Sequence, residues 1–183
     1  MYGMINEAVR GLVTSAFGED KWTKIHERAG VDESFVSMKS YDDDVTYRLV
    51  AAASEELDLS PEQVLTAFGE YWVENVATVA FAQLMNQTGT GFGDFLANLD
   101  VMHQRMKSTF PDYQPPSFRV IETSEPGRLQ VDYYSNRAGL LPFVIGLLHG
   151  LSRHFDEEIE IEHVDDASHP LPCKRMFVTL GGS

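Results

Sequence analysis

His103 lies in the segment LDVMHQRMKSTFPDYQPPSF, among apolar neighbours on a stretch with helical spacing. A neutral imidazole in such a setting can bind a metal ion through one ring nitrogen. The alternative is a core histidine whose ring nitrogens are satisfied by hydrogen bonds, which is the commoner case for a lone histidine. Taken alone, His103 leaves both roles open.

A second group of polar side chains lies in the segment DYYSNRAG, residues 132 to 139. Alternate residues of a strand point the same way, so Tyr133, Ser135 and Arg137 are expected on one face. Two hydroxyls and a guanidinium can together bind a carboxylate, which arginine holds as a bidentate pair. The alternative is an edge strand whose polar face is merely hydrated, and for such a segment alone this is the commoner case.

Common catalytic and nucleotide-binding motifs do not occur in the sequence. It has no G-x-S-x-G, no Walker A lysine loop, no H-E-x-x-H and no dinucleotide-binding glycine motif after a strand. The acids of YDDDVTY, residues 41 to 47, lack EF-hand spacing and are interpreted as a solvated turn before a helix that begins at Val45. Four more histidines are interpreted as surface or structural residues: His149, His154, His163 and His169. None of these segments indicates a catalytic site.

The first half of the chain, to about residue 110, has apolar residues at helical spacing. The segment SPEQ predicts a helix start, with Ser60 as N-cap, Pro61 in the first turn and Gln63 as the capping-box partner. The glycines at positions 89, 91 and 93 are expected to lie between helices. They would separate the preceding helix from the one that carries His103.

After Pro115 and Pro116 the helical pattern gives way to alternation. The segments SFRVIETS and LQVDYYS, joined by a turn at EPGRL, predict two antiparallel strands. LLPFVIGLLHGLSRHF then predicts a helix, and EEIEIEHV and CKRMFVTL predict two more strands. The expected fold class is α+β, with a helical N-terminal lobe packed on a lobe that ends in the order β-β-α-β-β.

The composition restricts the partners and the location. The chain has 183 residues, which suits one domain, and a net charge of −14 with 14 scattered basic residues. Nucleic acid and anionic membranes bind proteins through clustered lysine and arginine side chains, so neither is an expected partner.

The expected location is the cytoplasm. No apolar run could cross a bilayer, and MYGMINEAVRGLV does not resemble a signal peptide. The single cysteine, Cys173, excludes an internal disulfide and a cysteine-ligated metal cluster.

In combination, these features resemble the H-NOX family, the haem-nitric oxide/oxygen binding domains. The family includes stand-alone bacterial gas sensors and the haem domain of animal soluble guanylate cyclase. The matching features are a helical His103, the double proline ending at Pro116, and the motif Tyr133-x-Ser135-x-Arg137. The resemblance runs from MYGMINEAV through DDDVTYRLV and AFGEYW to GLLHGLSRHF. It implies one haem domain over residues 1–183, with a helical subdomain (1–60) and a haem-ligating subdomain (61–183).

The resemblance also implies a role for each candidate residue. Haem b, iron protoporphyrin IX, is an apolar disc with two carboxylates, so it needs an apolar slot, an axial base and carboxylate donors. By the resemblance, the haem is buried between the lobes and His103 is the proximal iron ligand. Ile5 and Pro116 would press on the haem from opposite sides and bend it. Three side chains would hold the propionates: Tyr133, Ser135 and Arg137.

The helix LLPFVIGLL bears on the choice of gas. Oxygen-binding members of the family place a tyrosine hydroxyl from this helix over bound O₂, which is polar and gains from a donor. The aligned position here is Pro142 or Phe143, and neither side chain donates a hydrogen bond. Trp72 falls where oxygen binders have a polar distal residue, and its indole is either a donor or packing. The resemblance therefore implies selectivity for NO over O₂, with CO as a further ligand.

The function implied by the resemblance is a haem-based nitric oxide sensor that works as a two-state switch and is not an enzyme. Gas binding opposite His103 would weaken the iron–histidine bond, and the helix that carries His103 would move. The signal would pass to a partner protein, either a histidine kinase or a cyclic-di-GMP enzyme. Two alternatives stay open: an O₂ or redox sensor with the same haem, and a haem-free regulatory module.

Overall fold

The computed structural model describes residues 1–110, 112–164 and 173–181. Within these ranges the helices are α1 (Gly3–Phe17), α2 (Glu19–Ala29), α3 (Asp43–Leu57), α4 (Pro61–Tyr71), α5 (Thr78–Ala80), α6 (Ala82–Thr88), α7 (Phe92–Ala97), α8 (Leu99–Thr109) and α9 (Leu141–His154). A π-helix, Trp72–Ala77, joins α4 to α5. The strands are β1 (Ser117–Glu122), β2 (Arg128–Tyr134), β3 (Ile159–Val164) and β4 (Cys173–Leu180).

The predicted α+β class is confirmed. The strands form one sheet in the order β1-β2-β4-β3, and every neighbouring pair is antiparallel. α9 lies between β2 and β3 in the chain, which gives the expected β-β-α-β-β order. The inner face of the sheet presents Phe118, Val131, Tyr133, Met176 and Val178 to the helices of its own lobe.

Local sequence signals explain several helix ends. At the start of α4, the backbone N–H of Gln63 donates to Ser60 Oγ at 3.2 Å, and the N–H of Ser60 donates to Gln63 Oε1 at 2.8 Å. This is the predicted capping box. Gly89 and Gly91 flank the ends of α6 and α7, but Gly93 lies inside α7 and not between helices. α3 begins at Asp43, two residues earlier than expected.

Two hydrophobic clusters form the core. The first joins α1, α2, α3 and α4 around the fully buried Trp22, Ile25 and Leu49. The second joins the π-helix, α6 to α9 and the sheet around Phe95 and Met176. A site between these clusters can therefore draw side chains from both lobes.

The two core clusters meet where α4 packs on α9. A Cβ on Gly69 would lie 2.2 Å from the carbonyl oxygen of Phe143, and one on Gly146 would lie 2.1 Å from that of Thr66. Only glycine allows two backbones to approach so closely. In the part of the chain that the structure describes, no helix combines the length and apolarity needed to span a membrane.

Candidate ligand-binding site

An apolar cavity of about 260 Å³ lies between the two core clusters. The first cluster contributes Val50, Leu65 and Phe68 to its wall, and the second contributes side chains from α8, α9 and the sheet. All the site residues predicted from the sequence line this one cavity: Ile5, Trp72, His103, Pro116, Tyr133, Ser135 and Arg137. The fold thus brings together residues from α1 to the turn after β2.

His103 reaches the cavity from α8. Its ring packs against Phe118, with the ring centroids 5.8 Å apart, and meets Tyr113 edge-on at 6.1 Å. Nδ1 is buried, and it has no hydrogen-bond partner among the described residues. Burial lowers the pKa of His103, against the opposing effects of Asp100 and the Pro116 backbone. The result is a neutral imidazole at the edge of an apolar cavity, which is the form that binds metal ions.

The first turn of α8 is fixed to β1 through Asp100. One carboxylate oxygen of Asp100 accepts from the backbone N–H of Phe118 at 2.7 Å, and the other accepts from the Ser117 hydroxyl at 2.9 Å. Because Asp100 lies about one helical turn before His103, these bonds set the position of the imidazole relative to the sheet.

The predicted donor cluster is not on a single strand, because β2 ends at Tyr134. Ser135 and Arg137 lie in the turn that follows, where Ser135 Oγ accepts from the backbone N–H of Arg137 at 3.0 Å. The bond stabilises this turn, and the side chains of both residues line the cavity together with Tyr133. Burial raises the pKa of Tyr133, against smaller opposing effects of Ser135 and Arg137, so its phenol stays protonated.

Arg137 is held at the cavity by residues distant in the chain. Its Nε donates to Asp43 Oδ2 at 2.6 Å, and its Nη1 donates to the carbonyl of Gln114 at 2.8 Å. Asp43 Oδ1 also accepts from the amino group of Met1 at 2.7 Å. The interpretation of the acids at 42–44 as a merely solvated turn is therefore wrong for Asp43. No local sequence signal marks this pair, since its members are 94 residues apart.

The π-helix also lines the cavity, through its first residue, Trp72, and through Val73 and Ala77. π-helical turns are frequent at functional sites because they alter which side chains face inward. No described residue accepts a hydrogen bond from the Trp72 indole N–H. Trp72 therefore presents an uncommitted donor on a wall that is otherwise apolar.

Phe143, at the start of α9, lines the cavity and packs on Phe68 with ring centroids 4.8 Å apart. Pro142 does not line it, and its carbonyl accepts from the Thr66 hydroxyl at 3.3 Å. Of the two positions that the sequence left open, the structure places Phe143 at the cavity.

Several lining residues were not anticipated from the sequence. Thr46 is one, but its hydroxyl donates to Asn6 Oδ1 at 2.7 Å and is thereby occupied. Sulfur-containing side chains from several elements also line the wall: Met1, Met4, Met85, Met102 and Met106. Methionine is common in ordinary cores, so nothing in the sequence distinguished these residues.

The other described histidines, His26, His149, His154 and His163, do not line this cavity. His149 is partly buried, His154 and His163 are exposed, and His169 is outside the described residues. Among the residues that the structure describes, no group of three or more His, Cys, Asp or Glu side chains could hold a metal ion. A metal bound at His103 would therefore need further ligands that the cavity does not supply.

The chain is similar to known proteins both in sequence and in fold. Residues 2–163 match the family model described as haem-NO-binding. The chain is 28% identical over 182 residues to soluble guanylate cyclase gcy-31 of Caenorhabditis elegans, covering 98% of this chain and 26% of that protein. The chain thus spans about a quarter of the length of this relative.

Solved structures share the fold over its whole length. The crystal structure of an H-NOX protein from S. oneidensis in the Fe(II)NO ligation state matches with a TM-score of 0.86 and 20% identity, covering 100% of both chains. The oxygen complex of an oxygen binding H-NOX domain related to soluble guanylate cyclases matches with a TM-score of 0.83 and 19% identity, covering 100% of this chain and 96% of that one. With the family model matching most of the sequence, the chain belongs to the haem-NO-binding, or H-NOX, family.

Proposed function

We propose that this chain is a nitric oxide sensor that holds haem b in the cavity and passes a conformational signal to a partner protein. The observation that carries the proposal is the convergence on one apolar cavity of an imidazole with an unpartnered nitrogen and a guanidinium. H-NOX domains are haem-based gas sensors, but the choice of NO and the signalling step are inferences for this chain.

The residues present fit a haem. The walls are apolar apart from the cluster around Arg137, which suits an apolar disc whose two carboxylates lie at one edge. In the proposed complex, His103 would supply a nitrogen to the iron, and Ile5 and Pro116 would contact the ring. The carboxylates are held by three donors: Tyr133, Ser135 and Arg137.

Haem, when bound, would supply a ferrous iron that can bind a diatomic gas. Phe143 lines the cavity and has no hydroxyl, and it is one of the two positions at which the resemblance puts the donor tyrosine of oxygen binders. NO binds ferrous haem tightly without a donor, whereas O₂ gains from one. These features support selectivity for NO, with CO as a second ligand.

An O₂ or redox sensor is the second candidate, and the uncommitted N–H of Trp72 favours it. If Trp72 donates to bound O₂, Trp72→Phe should abolish a stable oxygen complex while leaving NO binding intact. If the ferrous wild-type protein forms no stable oxygen complex in air, Trp72 is packing and this candidate fails.

The proposed signal is a displacement of α8. Leu99 is the buried residue of this helix, and most other α8 side chains are partly or fully exposed. A helix with so few buried contacts can move at lower cost than one in the core. Since His103 lies on α8, a change at the iron would reach the surface of the protein through this helix.

The proposed partner is a histidine kinase or a cyclic-di-GMP enzyme, and the proposed location is the cytoplasm. The net charge of −14 favours a partner surface that is basic or neutral. The same charge gives no support to binding of nucleic acid or an anionic membrane.

The absorption spectrum of the purified ferrous protein, without gas, with NO and in air, tests the proposed function. We expect a haem spectrum that changes on addition of NO and shows no stable oxygen complex. A stable oxygen spectrum would support the second candidate. A protein that is colourless and stays so when haem is supplied would overturn both and favour a haem-free module.

A further inference from the structure

Tyr113 lies between the two groups that define the site, in the segment that links α8 to β1. Its ring meets the His103 imidazole edge-on with centroids 6.1 Å apart. The carbonyl of the next residue, Gln114, accepts from Arg137 Nη1 at 2.8 Å. The Tyr113 side chain lines the same cavity as these residues. It is therefore placed on the side of the cavity where the guanidinium lies.

The hydroxyl of Tyr113 has no hydrogen-bond partner in the part of the chain that the structure describes. Its oxygen is not fully buried. A buried or half-buried phenol usually has a polar partner, because a hydroxyl that is removed from water without forming a hydrogen bond costs free energy. A phenol keeps its proton at neutral pH, so the hydroxyl of Tyr113 can donate a hydrogen bond.

We propose that Tyr113 is a further carboxylate-binding residue of the cavity, whose phenolic O–H donates to a haem carboxylate beside Arg137. This inference rests on the proposed binding of haem. It adds a donor from the segment after α8 to the donors contributed by β2 and the turn that follows it. The carboxylate would then be held from both the helical side and the sheet side of the cavity.

A purely structural role for Tyr113 is the competing explanation. The aromatic ring alone could support His103 by packing, without any use of the hydroxyl. Tyr113→Phe separates the two roles, because phenylalanine keeps the ring and removes only the donor. A matched control is Tyr47→Phe: Tyr47 also lines the cavity, but its hydroxyl already donates to the carbonyl of Ala138 at 2.9 Å.

The experiment compares haem with its dimethyl ester, in which both carboxylates are blocked. Each protein is loaded with either ligand, and the rate of transfer to an excess of apomyoglobin is measured. We expect Tyr113→Phe to lose haem on the order of tenfold faster than wild type, the effect of one hydrogen bond to a charged acceptor. With the ester, the two proteins should lose the ligand at equal rates. Tyr47→Phe should show the same small change with both ligands.

Two results would overturn the inference. One is an unchanged rate of haem loss in Tyr113→Phe, and the other is an equal acceleration with haem and with the ester, which would assign the hydroxyl a structural role. If the ester does not load, the propionate bending modes in the resonance Raman spectrum decide, since they shift only when a carboxylate loses a donor. A wild-type protein that takes up no haem would instead overturn the proposed function itself.

Discussion

Arg137 and Asp43 form an ion pair across the two lobes, with Arg137 Nε 2.6 Å from Asp43 Oδ2. Asp43 is the first residue of α3, and Arg137 lies in the turn after β2. The pair orients the guanidinium at the edge of the cavity and occupies part of its donor capacity. A carboxylate that binds there must share Arg137 with Asp43.

Arg137→Ala should weaken haem binding at least on the order of tenfold, because it removes charge-assisted hydrogen bonds to a carboxylate. The haem content of the purified variant should fall while its helical circular dichroism persists. Arg153→Ala is a suitable control, since Arg153 pairs with Glu70 and Glu74 on the exposed surface. Full haem loading of the Arg137 variant would remove Arg137 from the site.

Asp43 should make the stability of the protein depend on pH. Burial alone would raise the pKa of Asp43, but hydrogen bonds from Arg137 and the Met1 amino group lower it below its ordinary value. A carboxyl with a depressed pKa in the folded state stabilises the fold at neutral pH. This contribution is lost as the pH falls below about 4 and through the folded-state pKa.

The comparison of wild type with Asp43→Asn isolates this effect. The melting temperature of the variant should be lower at pH 7, and the difference should shrink as the pH falls below about 4. Asp44→Asn, which changes an exposed carboxylate of the same turn, should alter the melting temperature little at either pH. A deficit in Asp43→Asn that stays constant with pH would contradict the prediction.

His103→Gly should lose haem when expressed alone and regain it when free imidazole fills the vacated space. The rescued protein should bind NO but should not signal, because the imidazole is no longer attached to α8. Haem absorbance and partner activity are the two measurements. His154→Gly, at the exposed end of α9, should retain haem. Haem retention by His103→Gly without imidazole would indicate another ligand.

Phe143→Tyr should raise O₂ affinity, because it places a hydroxyl on the wall of the cavity. A net hydrogen-bond contribution of about 1 kcal/mol corresponds to roughly a fivefold change in affinity. Pro142→Tyr should have no such effect, since Pro142 does not line the cavity, although it removes a favourable proline from the first turn of α9. Oxygen titration of both ferrous variants checks this, and equal affinities would refute the assignment of Phe143.

Gly146→Ala should destabilise the protein by about 1–3 kcal/mol, because the added methyl group would collide with the Thr66 carbonyl of α4. Urea denaturation measures the free energy of unfolding. Gly93→Ala is the matched control, since a Cβ at that helical position meets only a Leu129 methyl group at 3.9 Å. That variant should be unchanged or slightly more stable, and a loss as large as that of Gly146→Ala would exclude the collision as the cause.

The sequence by itself predicted the features that depend on local pattern. The capping box at Ser60, the helical first half and the β-β-α-β-β order follow from side-chain periodicity and turn residues, which act over a few positions. His103 and the segment from Tyr133 to Arg137 were selected as a haem site through the resemblance to the H-NOX family, because each pattern taken alone left a purely structural role open.

Only the tertiary structure decided which groups meet. It placed Phe143 and not Pro142 at the cavity, and it paired Asp43 with Arg137. It also left Nδ1 of His103 without a partner among the described residues, which no sequence pattern encodes. The physical reason is that such contacts depend on how α3, α8 and α9 pack around a shared cavity. Packing is set by side chains distant in the chain, whereas periodicity reports only which face of each element is buried.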